Sequence, residues 1–290
     1  MTARLIDGKA IAAAKRLTMK TRVSRLKSEG VVPGLAVVLV GANPASMSYV
    51  KGKIRDCKEV GIYSELIRLP ESVPEKELLE KINVLNVRDE IHGILVQLPL
   101  PDQISEQKVI QAINPDKDVD GFHPVNLGKM MTNQECFVPC TPAGIIEMLK
   151  AVNISIAGKH AVIVGRSHIV GKPASQLFLN YNATVTICHS KTTPLSDYTR
   201  QADILVVAVG RAGLIGAEDV KTGAVVIDVG MNRNGKGKLV GDVVFKETSE
   251  KAGFITPVPG GVGPMTRVML LENTLKAAER KVRDRHDDGK

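Results

Sequence analysis

The sequence predicts an α/β protein of two α/β domains, the second of Rossmann type, with a C-terminal helix that returns to the first domain. Three observations carry this. Apolar, strand-like runs alternate with helical patterns along nearly all of the 290 residues, as expected of parallel β-α-β units with buried strands. The length exceeds that of a usual single domain, so two are the default. The turn Gly165-Arg166-Ser167-His168-Ile169-Val170-Gly171 leads from an apolar run into a helical pattern, which is the place of a dinucleotide-type turn. The expected domains are 1–140, joined by a helix at 265–290, and 141–264.

The elements follow in order. Residues 9–28 are basic and amphipathic; with Asp7 as N-cap and Gly30 as stop they fit a structural helix better than a transit peptide. Strands are expected at Leu35–Val40, Ser64–Leu69 and Ile91–Gln97, each followed by a helix at about 44–60, 74–86 and 103–113. In the first of these helices Asn43 is the N-cap, Pro44 suits the first turn, and Gly61 ends it. Met47, Val50, Ile54 and Cys57 recur at helical spacing as its buried stripe, with Tyr49 and Lys53 bordering it. Asn114–Thr141, rich in Pro, Asp, Asn and Gly, reads as a connecting region, with a short helix after Thr141-Pro142. The second series has strands at Ala161–Val164, Thr184–Cys188, Ile204–Val209 and Val225–Val229, and helices at about 170–180, 194–200 and 247–252. The run Pro257–Pro264 is not expected to be regular structure, and a last helix spans about Met265–Arg283.

Composition narrows the function. The net charge of +8 is spread along the chain, Trp is absent and aromatic residues are few. Stacking platforms for bases are therefore scarce, no nucleic-acid motif appears, and anionic small molecules are favoured as ligands. No stretch approaches the length of a membrane span. Cys57, Cys136, Cys140 and Cys188 lack zinc spacing or a disulfide framework and read as free thiols of a reducing compartment. A soluble, cytoplasmic protein that binds neither nucleic acid nor membrane is expected.

Five segments carry chemistry. In the Gly165–Gly171 turn, tight backbone and a helix N-terminus suit a pyrophosphate, although Ser167 replaces the middle glycine and one extra residue precedes the last. The next strand ends Ile187-Cys188-His189-Ser190-Lys191 with no acid for a ribose hydroxyl. Arg166 and Ser190 instead suit a 2′-phosphate, with Lys191 adding charge, which favours NADP over NAD. Gln97 ends a strand before Leu98-Pro99-Leu100-Pro101, where an open α/β sheet meets its ligands. Asp116-Lys117-Asp118-Val119-Asp120-Gly121 begins like a calcium loop, but the twelfth position is Leu127 rather than Glu, so no metal is expected. It is either a solvated acidic turn or a loop that aims one Asp at a ligand. The rigid Pro-Gly run before the last helix suits close backbone approach to a ligand, a hinge, or both.

Together these segments resemble the bifunctional methylenetetrahydrofolate dehydrogenase/cyclohydrolase family of folate metabolism. The resemblance spans Leu5-Ile6-Asp7-Gly8 to Leu271-Glu272-Asn273-Thr274. It is carried by Pro44-Ala45-Ser46 with Tyr49-Val50 and Lys53, Gly93–Pro101, Asp116–Gly121, Pro139-Cys140-Thr141-Pro142, Gly165-Arg166-Ser167 with Val170-Gly171, and Thr256–Thr266.

The resemblance implies NADP-dependent oxidation of 5,10-methylenetetrahydrofolate and hydrolysis of the methenyl product to 10-formyltetrahydrofolate, by a homodimer. It implies that Lys53 is the catalytic lysine of the hydrolysis, that Gln97 contacts and tunes it, that Tyr49 packs on the folate, and that Asp120 binds the pterin. Val96 and Leu98 beside Gln97, and Pro259, Gly260, Gly261, Val262, Gly263, Pro264, Met265 and Thr266, would complete the substrate site. Gly165, Arg166, Ser167, Ser190 and Met231 would hold the cofactor, Met231 through its backbone. Gly52, inside the helix next to Lys53, and Arg267, beside the loop, depart from the pattern without removing a required group. A monofunctional dehydrogenase, a two-domain amino- or hydroxy-acid dehydrogenase and a non-catalytic dinucleotide-binding regulator stay open as alternatives. A formate-ligating domain does not, because no Gly-x4-Gly-Lys-Ser/Thr loop is present.

Overall fold

The computed structural model describes residues 2–288, with side chains to residue 284. Among them the chain forms two units. Ala14–Cys140 clusters with the chain from Arg267 onward, and Thr141–Thr266 clusters with the chain up to Ala13. The elements in chain order are β1 (Arg4–Leu5), α1 (Gly8–Ser28), β2 (Gly34–Val40), α2 (Pro44–Val60), β3 (Tyr63–Leu69), α3 (Glu75–Val87), β4 (Gly93–Val96), α4 (Glu106–Ala112), α5 (Pro124–Met131) and α6 (Cys140–Ala151). They continue with β5 (His160–Val164), α7 (Gly171–Asn180), β6 (Thr184–Cys188), α8 (Ser196–Thr199), β7 (Ile204–Val207), β8 (Val225–Asp228), β9 (Asn232–Arg233), β10 (Leu239–Val240), α9 (Phe245–Lys251), β11 (Phe254–Ile255) and α10 (Val262–Asp288).

In the unit that contains residues 14–140, the parallel sheet has the order β3-β2-β4. All seven residues of β2 are buried, which is why it reads as an unbroken apolar run. Ala36, Val38 and Ile94 pack with Leu78, Ile82 and Leu85 of α3 and Val109 of α4. The C-terminal helix belongs to this unit from Arg267. Arg22 of α1 forks onto it, with Nη1 2.8 Å from Glu272 and Nη2 2.8 Å from Glu279.

The other unit holds a parallel sheet in the order β1-β11-β8-β7-β5-β6. Residues up to Ala13 belong here rather than with the first half, because β1 pairs with β11. The sequence does not announce β1, β11 or the β9-β10 hairpin, each strand having two residues and so no readable periodicity. Helix α5 lies inside the stretch expected to be a connection, started by Pro124 with His123 as its cap. The last helix begins at Val262, not Met265. Pro264 fits there because the first-turn N–H groups have no partner within the helix, so only Pro257–Gly261 of the Pro-Gly run is irregular.

Candidate active site

In each parallel sheet one strand is followed in the chain by two strands that pair on its opposite sides. β2 sits between β3 and β4, and β5 sits between β6 and β7. Crevices open at the carboxyl ends of such strands, because the connections leave in opposite directions. Helix α2 starts beyond β2, and the Gly165 turn starts beyond β5.

Helix α2 forms for the reasons its sequence gives. Asn43 Oδ1 accepts from the N–H groups of Ala45 (3.0 Å) and Ser46 (3.2 Å), Pro44 occupies the first position, and Gly61 closes the helix at φ 87°. Its buried face differs from expectation. Ser46, Val50, Lys53, Cys57 and Val60 form the inward line, joined by Gly52 and Asp56, while Met47 and Ile54 are only partly buried. Lys53 therefore lies within the stripe rather than beside it, and is 4% exposed.

Its amine is held from several sides. Nζ donates to Gln97 Oε1 at 3.1 Å, and the Gln97 amide is itself fixed because Nε2 donates to the Leu98 carbonyl at 2.6 Å. Gln97 sits just past β4, its N–H bound to the Val38 carbonyl at 2.9 Å. The Tyr49 ring centroid lies 5.1 Å from Nζ, one helical turn before Lys53. Burial pushes the Lys53 pKa below the ordinary lysine value; Asp120, Cys140 and Cys57 oppose the shift, and Arg267 adds to it.

The acidic turn divides its labour. Asp118 bridges to Ile94 of β4 and is buried. Its carboxylate accepts from the N–H groups of Phe122 (3.3 Å) and His123 (2.8 Å) and from Asn126 Nδ2 (2.9 Å), so it pins the loop. Burial raises its pKa to about 7 against these hydrogen bonds. Asp120 is the residue that addresses Lys53. Burial raises its pKa too, while Lys53 and a hydrogen bond with Cys140 draw it down.

Cys140, read from sequence only as a free thiol, is a neighbour of this cluster. Its Sγ donates to the Val119 carbonyl at 3.3 Å, and Asn273 Nδ2 binds the Val119 and Val138 carbonyls at 2.9 and 3.0 Å. Burial pushes the Cys140 thiol well above its usual pKa, which keeps it a neutral donor. All four cysteines are free. Val96 is buried in the core and Leu98 is half-buried, so Val96 presents only its backbone to any ligand.

The two departures from the family pattern meet each other. Arg267 Nε donates to Asp56 Oδ2 at 2.7 Å, and the Asp56 side chain is 2% exposed. A Cβ on Gly52 would lie 3.3 Å from Arg267 Nη1.

The other unit holds the remaining expected residues. Gly165 has φ 130°, and a Cβ there would lie 2.3 Å from the Ala208 carbonyl oxygen; one on Gly171 would lie 2.2 Å from the Gly165 oxygen. The turn is thus closed to side chains at both glycines. Ser167 Oγ accepts from the N–H groups of Val170 (3.1 Å) and Gly171 (3.3 Å), doing locally what a capping residue does for α7. Arg166, Ser190 and Met231 are exposed. A tight turn into a ten-residue helix, with an exposed cation and hydroxyls beyond a switch strand, fits a phosphorylated dinucleotide. Pro259–Thr266 belongs to this unit as well. Gly261 N–H binds the Pro257 carbonyl at 2.8 Å, Gly260 accepts from the Lys9 N–H at 3.0 Å, and Thr266 Oγ1 lies 2.9 Å from Thr141 Oγ1. Tyr49, Lys53, Gln97 and Asp120 come together in the first unit; the loop and the five cofactor residues lie in the second.

This fold, with a dinucleotide-type turn in one unit and a buried lysine-amide-carboxylate cluster in the other, defines a two-unit nucleotide-dependent enzyme class. Residues 6–120 match the tetrahydrofolate dehydrogenase/cyclohydrolase catalytic domain, and residues 139–282 match the NAD(P)-binding domain of the same family. The bifunctional protein FolD of Bacillus thuringiensis (strain Al Hakam) is 58% identical over 280 residues, 97% of this chain and 98% of its own. The crystal structure of bifunctional FolD, a methylenetetrahydrofolate dehydrogenase/cyclohydrolase from Campylobacter jejuni, is similar at TM-score 0.95 and 52% identity, covering 96% of this chain and 99% of that one. A Trypanosoma brucei methylenetetrahydrofolate dehydrogenase-cyclohydrolase, solved with NADP cofactor and inhibitor, is similar at TM-score 0.93 and 39% identity, covering 98% and 99%. The chain belongs to the tetrahydrofolate dehydrogenase/cyclohydrolase family.

Proposed function

We propose that this protein oxidises 5,10-methylenetetrahydrofolate to the 5,10-methenyl cation with NADP and then hydrolyses that cation to 10-formyltetrahydrofolate. The observation that carries the second step is the buried Lys53 amine hydrogen-bonded to an immobilised Gln97. NADP, when bound, supplies the acceptor for the hydride that leaves the methylene carbon. The Gly165–Gly171 turn would hold its phosphates, with Arg166 and Ser190 at the 2′-phosphate and Met231 contributing backbone. Tyr49, Asp120 and Pro259–Thr266 are proposed to bind the folate. Val96 and Leu98 flank Gln97 in the same role.

An ordinary lysine is protonated at neutral pH and makes a poor base. Burial, and the positive charge of the methenyl substrate when bound, both favour the neutral amine here. Neutral Lys53 takes a proton from water as its oxygen attacks the cationic carbon. The proton then goes to the ring nitrogen as its bond to that carbon breaks, while the adduct's hydroxyl gives its own proton to the freed Lys53 amine and on to solvent, leaving the formyl group on the other nitrogen. Gln97 holds the amine's direction throughout, and Asp120 binds the pterin while limiting the loss of basicity. Among the described residues no helix is long and apolar enough to cross a membrane. A cytoplasmic homodimer that binds neither nucleic acid nor membrane is the setting we propose, on family membership.

The test follows the methenyl intermediate by absorbance with purified protein, methylenetetrahydrofolate and either NADP⁺ or NAD⁺. Transient methenyl absorbance that decays faster than its spontaneous hydrolysis is expected with NADP⁺; accumulation without enzyme-dependent decay would leave a dehydrogenase alone. A separate prediction concerns Arg166→Ala. It is expected to weaken NADP by roughly 10–100-fold, the scale of one lost charge-assisted contact, and NAD by less than about threefold. Equal losses in titrations of both nucleotides would remove Arg166 from the 2′-phosphate.

A further inference from the structure

Lys53 follows a glycine, and that glycine faces a charge. Gly52 presents a bare Cα to Arg267 of α10, where a Cβ would lie 3.3 Å from Nη1, 3.4 Å from Cδ and 3.5 Å from Cζ. Arg267 is clamped by Asp56, whose Oδ2 accepts from Nε at 2.7 Å. Asp56 stands four residues after Gly52, on the same face of α2, and its other oxygen accepts from Arg55 Nη2 at 3.2 Å. We propose that Arg267 is a positioning residue for Lys53: clamped by Asp56 over Gly52, it fixes the turn of α2 that carries the amine and holds its positive charge against the residue next to Lys53. This rests on the reading of Lys53 as the hydrolytic base.

The two unusual residues explain each other. Glycine is disfavoured inside a helix, yet at position 52 any side chain would press on the guanidinium. The groups that act on the Lys53 amine are Asp120 from the acidic turn, Cys140 at the start of α6, Cys57 on α2 and Arg267 on α10, with the Tyr49 ring and the Gln97 amide in contact. The carboxylate and the two thiols favour the charged amine, whereas burial and Arg267 favour the neutral one. A purely mechanical staple between α2 and α10 would leave the protonation of Lys53 untouched, which is what an experiment can separate.

The experiment measures methenyl hydrolysis against pH, corrected for the spontaneous rate, in the full-length protein. Arg267→Met removes the charge and keeps an apolar stem. Arg267→Gln, which can still donate to Asp56, replaces it where that variant fails to fold. Either is expected to move the rising limb of the profile to higher pH, with hydrolysis at neutral pH falling up to about tenfold and falling more than dehydrogenation. Arg267→Lys should restore the limb. A limb unmoved in the folded variant overturns the proposal and leaves Arg267 as a staple. Lys53→Met run alongside separates the two readings: hydrolysis at the wild-type rate would sink the Lys53 assignment itself, whereas its loss together with an unmoved limb sinks only the role of Arg267.

Discussion

Lys53→Met is expected to lower methenyl hydrolysis by roughly 10²–10⁴-fold, the usual contribution of a positioned general base, while the protein stays folded and binds NADP. Methionine has nearly the length of lysine and suits a site that is 4% exposed. Its cost is the Gln97 Oε1 acceptor left without a donor, about 1–3 kcal/mol if water does not replace it. Against this stands a gain whose sign follows from the amine. Its folded pKa lies below the ordinary 10.5, burial being the largest cause. The unfolded chain therefore binds more protons between the lowered value and 10.5, and wild-type stability rises with pH through that window. The variant lacks this slope, so wild type should gain stability relative to Lys53→Met as the pH is raised toward 10.5. Hydrolysis rates and urea midpoints at two pH values check both halves. Wild-type hydrolysis in the variant would remove Lys53 from the reaction.

Much of this arrangement is legible in the sequence because it is local. The caps of α2, the strand-turn-helix at Gly165 and the placement of Gln97 beyond a strand all depend on residues a few positions apart, and all appear as read. The phase of α2 was not legible. Met47 and Ile54 are apolar, and nothing local says that a lysine, a glycine and an aspartate displace them from the buried face. What displaces them comes from far along the chain: Arg267 meets Asp56 and Gly52, and Asn273 fixes the Val119 carbonyl next to Asp120. The same holds for Cys140, whose sequence context shows a lone thiol and whose partners are a carbonyl and an acid on another loop. Strands of two residues left no trace either, since β1 and β11 exist through their pairing and not through a pattern of their own.

Asp242→Ala should lower the stability of the unit that holds the Gly165 turn. Asp242 is 0% exposed, and its carboxylate accepts from the N–H groups of Val209 (2.7 Å) and Gly210 (3.0 Å) and from Asn232 Nδ2 (2.8 Å). Alanine removes the acceptor of three donors, and because all three bonds are only part-buried, water replaces it in part, so a net loss of about 1–3 kcal/mol is expected. That is a large share of a typical domain's stability, which runs at roughly 5–15 kcal/mol. The residues it tethers follow β7 and β8, the strand ends that carry the proposed cofactor position Met231, so NADP affinity should fall with it. A second carboxylate makes the effect diagnostic. Asp228 accepts from the N–H groups of Gly230 (2.9 Å), Asp242 (2.9 Å) and Val243 (3.0 Å), and burial raises its pKa to about 6, with the Asp242 charge adding to the rise. Its folded pKa thus exceeds the ordinary 3.8. The folded chain binds more protons between these values, so stability falls as the pH rises from about 4 to about 6. Removing the Asp242 charge lowers the Asp228 pKa and should flatten that slope. Thermal or urea midpoints of wild type and variant across this range measure both effects. An unchanged midpoint would mean that the two carboxylates do not lock these strand ends, whereas a lowered midpoint with an unchanged slope would keep the lock and discard the coupling.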